Sequence, residues 1–191
     1  MNTLQRKITI HKPGKQYTGH IAVPAEAYRT SDYFNRPALM KHPHGQSTAD
    51  NYIHLQDVRI TVDSRLTMTL ETINIRVEDI IFFWDELKNA GTVADQLRAE
   101  KLRYKAGQQE MNRISIVTPI LNGRFYTVAG TFSGLFRKAI QANFLALFEA
   151  TITVFQPQNG GEWSKSPLPT PNRFVGFNLN YMESFFLKNP E

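Results

Sequence analysis

Apolar and polar positions alternate with a period of two over most of the chain. Lys7–His11 sets Ile8 and Ile10 between polar neighbours, and Pro13-Gly14-Lys15 punctuates a turn. Gln16–Val23 alternates again, with Tyr17, Gly19 and Ile21 on one face. The runs 52–62 and 66–77 read as two long strands, and 79–84 as a short closing one. Gly19 sits inside a strand pattern, where it marks a bend at which a neighbour comes close. Leu55 and Val58 cannot share a face of an undisturbed strand, so a bulge is expected near Asp57, with the acid bonding backbone amides there.

The whole pattern then recurs. Asn51-Tyr52-Ile53-His54-Leu55-Gln56-Asp57-Val58-Arg59-Ile60-Thr61-Val62 returns as Asn143-Phe144-Leu145-Ala146-Leu147-Phe148-Glu149-Ala150-Thr151-Ile152-Thr153-Val154. Ile8–Pro13 pairs with Ile114–Pro119, and Tyr17–Ile21 with Val128–Phe132. Ile73-Asn74-Ile75 pairs with Phe177-Asn178-Leu179, and Ile80–Phe83 with Ser184–Leu187. Such a period marks a duplicated small β-unit. It predicts a first barrel over 1–87, a linker over 88–112 and a second barrel over 113–191, each near the lower size at which one core sustains itself.

The copies differ where loops tolerate insertion. The first carries a polar insert over 25–50; the second has a Pro/Gly-rich stretch over 156–173 that reads as a surface loop, and a short 133–142 connection with a helical option. In the linker, Thr92-Val93-Ala94-Asp95 has the form of a capping box and predicts a polar helix to about Lys105, ended by Gly107.

Five short bent strands, with a long third and a brief turn before the last, resemble the SH3-like small barrel of the Sm type. Gly19, the Ile53–Val58 segment, and Ile73-Asn74-Ile75 followed by Ile80-Ile81-Phe82 carry the likeness. In the second copy Gly130, Leu145–Ala150, Phe177-Asn178-Leu179 and Phe185-Phe186 carry it. Two features of the Sm RNA pocket differ: Asn51 and Asn143 stand one residue early, and no Arg-Gly precedes the last strand. The first copy is also similar to a bacterial small-barrel family of unassigned activity, through Arg29, Ser31, Asp32, Tyr33, Phe34 and Asn35; the second keeps only Arg137 and Asn143 of that string. The resemblance implies a mainly β chain of two tandem five-stranded Sm-like barrels joined by a helical linker. It points to a non-catalytic interaction or assembly protein, with RNA or single-stranded nucleic-acid binding as the alternative.

Composition narrows the chemistry. No cysteine is present, which excludes disulfides, thiolate nucleophiles and iron–sulfur clusters. No Ser/His/Asp set or Gly-rich phosphate loop is visible, so neither catalysis nor a cofactor is expected. His42-Pro43-His44, with Asp50 or His54, reads as a solvated loop and not a metal site. Arg29 either grips a phosphate or carboxylate beside Asp32, or pairs internally while Ser31 or Asp32 caps a helical turn; Arg137 is its counterpart. The net charge of +5 is spread out, balances over residues 1–87 and has no Lys/Arg run of three, so it reads as a solubility feature.

The closing strands hold Phe82 and Phe83 in one copy and Phe185 and Phe186 in the other. With no Lys or Pro to deter pairing, these four residues are the expected interface, toward a second copy or a protein partner. No apolar leader or membrane span is seen, so a cytoplasmic protein is expected.

Overall fold

The computed structural model describes residues 3–25, 30–36, 51–63, 65–86, 111–134, 136–139, 142–158, 160–170 and 174–188. The predicted linker helix at 92–105, Arg29 and the His42/His44 loop lie outside the described residues. The fold is mainly β. In chain order the strands are β1 (Thr3–Lys12), β2 (Lys15–Pro24), β3 (Tyr52–Val62), β4 (Leu66–Arg76), β5 (Phe82–Asp85), β6 (Met111–Val117), β7 (Phe125–Ser133), β8 (Phe144–Pro157), β9 (Trp163–Leu168), β10 (Val175–Asn178) and β11 (Ser184–Lys188). Among the described residues two short helices, α1 (Thr30–Phe34) and α2 (Phe136–Ala139), follow β2 and β7, the latter within the connection with a helical option. None of the described helices is long and apolar enough to cross a membrane.

The strands form one eleven-stranded antiparallel sheet in the order β11-β6-β7-β8-β10-β5-β1-β2-β3-β4, with β9 branching from β8. This path has two ends, β11 and β4, and does not close on itself, unlike the two separate barrels expected. The 156–173 stretch also departs from its reading as loop, because Trp163–Leu168 pairs with β8. Pro167 hid this strand. On an edge, its missing N–H costs no ladder bond.

The two halves share a pairing pattern. Ile8 faces Gly19 and Ile114 faces Gly130, and in both places the register to the next strand slips by one at the glycine. A side chain on Gly19 would meet the Gln56 carbonyl oxygen at 2.8 Å, and one on Gly130 would meet that of Phe148 at 3.0 Å. Opposite each glycine the acid takes a left-handed conformation, φ 51° at Asp57 and 49° at Glu149. The bulge therefore stands where the Leu55/Val58 phase break requires it. Its acid points outward instead of bonding backbone amides: the Asp57 carboxylate is exposed, 3.6 Å from His20 Nδ1.

Following the register outward, Ile53 matches Leu145, Ile75 matches Phe177 and Phe83 matches Phe185. The alignment expected from sequence is displaced here. Asn178 stands at the position of Arg76, and Asn74 at that of Gly176. Each half then makes a 3-10 turn, Val77–Asp79 or Leu179–Tyr181, before its closing strand.

Two hydrophobic cores flank the middle of the sheet. Ile8, Ile10, Val23, Leu55 and Val58 build the first, joined by Phe144 from the second half. Ile114, Ile116, Val128, Leu147 and Ile152 build the second, joined by Ile81, Phe82 and Trp84 from the first half. Alternation along β5 explains the exchange: Phe83 points into one core, Phe82 and Trp84 into the other. Fully burying each such ring stabilises the fold by roughly 1.5–3 kcal/mol.

Candidate assembly interface

β5 and β10 join the two halves. Gly176 faces Phe83 and Phe177 faces Phe82 across an antiparallel ladder. Phe83 meets Phe34 at 4.5 Å and Phe144 at 5.4 Å between ring centroids, and Phe34 meets Phe144 at 5.5 Å. On the opposite face Phe82 packs edge-on against Tyr126, 5.3 Å away, and His11 lies 4.7 Å from both Phe82 and Trp84. Burial in this aromatic setting lowers the pKa of His11 to about 3. Burial likewise pushes the Tyr126 phenol upward, opposed by Arg124.

Polar groups fix the register of the junction. Asn178 Nδ2 donates to the Ile80 carbonyl at 2.8 Å, while its backbone N–H donates to Ile81 O at 2.9 Å. Asn35 satisfies both backbone groups of Phe144: its Nδ2 donates to Phe144 O at 2.9 Å, and its Oδ1 accepts from Phe144 N–H at 2.8 Å. Gly176 is the steric key, because a side chain there would meet the Phe83 ring at 2.3 Å. Gly176→Ala is expected to lower stability by about 1–3 kcal/mol through overpacking. Adding Phe83→Leu should recover part of that loss, and urea titrations of the single and double variants measure both effects.

Of the candidate ligand contacts, Asp32 is half-buried within α1. The side chain of Arg137, on α2, falls outside the described residues. Beside Asp32, Thr30, Ser31 and Phe34 are buried, and Asn35 grips β8. The buried charge here is one the sequence did not single out. Arg6 Nη1 donates to Thr30 Oγ1 at 3.2 Å, and that hydroxyl donates to Asp85 Oδ1 at 2.5 Å. Among the described residues no cluster of three His, Asp or Glu side chains stands ready to hold a metal.

The four expected interface residues divide. Phe82 and Phe83 are completely buried at the internal junction, whereas Phe185 is 46% and Phe186 67% exposed on β11. β4, at the far end of the sheet, is exposed along most of its length, with Leu66, Met68 and Leu70 open to solvent and Tyr52 beside its end. Among the described residues, only Leu4, Ile120 and Trp163 are large exposed hydrophobics lying elsewhere. Unburied apolar area is thus concentrated on the two free ends of the sheet. No protein-family model, curated protein or solved structure matches the chain.

Proposed function

We propose that the chain is a non-catalytic assembly protein, built from two Sm-like units, whose free β11 edge pairs head to tail with the free β4 edge of another copy. The observation carrying this reading is the internal β5–β10 junction, because β11 and β4, the counterparts of its two strands, each keep one unpaired edge at an end of the sheet. Phe185 corresponds to Phe83 and Tyr52 to Phe144, both exposed at the ends of the sheet, while Ile75, the counterpart of Phe177, is already buried in its own half. Exposed apolar edges without a partner are an aggregation hazard, and pairing removes it. One counterpart differs. Asn74 stands where Gly176 admits the Phe83 ring, so Phe185 must seat differently and the joint between copies is weaker than the one within the chain.

Two variants test this together. Met68→Glu spoils the β4 edge and Phe186→Lys spoils the β11 edge. Wild-type protein should sediment as species larger than 21.9 kDa at raised concentration, and each variant alone as a folded monomer. Mixed, the variants should form a one-to-one dimer that grows no further, since each keeps one good edge. A wild-type chain that stays monomeric, or a mixture that stays monomeric, overturns the reading.

A further inference from the structure

We propose that the outer face of the second half, around Phe125, Phe155 and Trp163, is a stacking platform for single-stranded nucleic acid. On β7 and β8 the core side is taken by Tyr126, Val128, Ile152 and Val154, so strand alternation turns Phe125 and Phe155 away from it. Neither core includes the three rings. Phe125 and Phe155 face each other across the ladder with centroids 4.5 Å apart and planes 2° from parallel. Trp163 packs 5.2 Å from Phe125 and stays 45% exposed.

The repeat makes a control. In the register of the first half, Phe125 falls at the position of Gly14 and Phe155 at that of Asp63, a polar turn. The shared architecture therefore does not require rings at this place; the second half alone carries them.

The charges around the rings select the ligand. Lys165 lies directly opposite Phe155 on β9. The same face runs across the hydroxyls of Ser115 and Thr151 to a groove of about 260 Å³ that Arg113 and Lys188 also line. Glu149 in that groove and Glu162 beside Trp163 are the opposing acids. Aromatic faces accept any base, while lysine, arginine and hydroxyl groups hold the phosphates between bases. A proline-rich peptide would use the rings and leave the cations idle.

Fluorescence anisotropy of labelled dT20 and rU20 tests the assignment at 50 and 300 mM NaCl. Both oligonucleotides should bind at low salt, with log affinity falling against log salt at a slope of about −2 if three cations contact phosphates. Trp163→Ala should weaken binding about tenfold through lost stacking. Lys165→Glu, a substitution at an exposed site, should weaken it at 50 mM and flatten the salt slope. No binding at 50 mM NaCl overturns the proposal. So does unchanged affinity in the two variants, or capture of a proline-rich peptide where the oligonucleotides fail.

Discussion

Phe83→Lys is expected to abolish cooperative unfolding, whereas Phe186→Lys should leave the melting temperature nearly unchanged. The two residues sit on the closing strands of the two halves, yet one is fully buried and the other 67% exposed. Emptying a buried phenylalanine site costs about 3–5 kcal/mol, and forcing an ammonium among Phe34, Phe144 and the core isoleucines costs more. That sum approaches the whole stability of a typical domain, about 5–15 kcal/mol. Phe186 has mostly water to lose, so its replacement leaves folding intact. Circular dichroism melts of dilute protein measure the contrast. A cooperative Phe83→Lys transition near the wild-type temperature would contradict the shared role of β5.

Acidification should destabilise the protein through one histidine. His11 has a pKa of about 3 in the fold, against 6.5 for the free side chain. Between those values the unfolded chain binds a proton that the folded chain refuses. Stability therefore falls as pH drops from 6.5 toward 3, while above 6.5 the residue makes no difference. The slope approaches about 1.4 kcal/mol per pH unit, so about 2 kcal/mol is lost from pH 7 to pH 5. His11→Phe retains a ring against Phe82 and Trp84 and removes the titration. Urea midpoints measured from pH 5 to 8 should decline less steeply in the variant, and parallel profiles would refute the assignment.

Strand existence was legible because alternation is a local signal: β1 to β4 fall where the periodicity puts them. The glycine bends and the Asp57 bulge were legible too, since each repairs a conflict visible within one strand. What stayed hidden depends on contacts distant in sequence. Asn74 and Asn178 look equivalent beside similar apolar residues. Their registers show otherwise, because Asn178 is spent on the Ile80 carbonyl at the junction while Asn74 pairs with His54 on the surface. Phe82–Trp84 reads as an exposed apolar edge until β10 is known to cover it. The Arg6–Thr30–Asp85 chain joins three elements that no motif links. On the sheet's outer face, Trp163 carries no signal of its own, because the Pro/Gly-rich run around it reads as loop.

The shared strand also dictates an order of events during synthesis. β5 leaves the ribosome with Phe82 and Trp84 on a face whose cover, Tyr126 and Phe177, has not yet been translated. Phe83 waits in the same way for Phe144. The amino-terminal half is thus held as an unfinished intermediate, its greasy side open, until the chain has grown past residue 177. A nascent chain in this state is exposed to mispairing with its neighbours on a polysome. Carrying both halves in one polypeptide tethers that cover to β5, at a local concentration that no separate subunit would match.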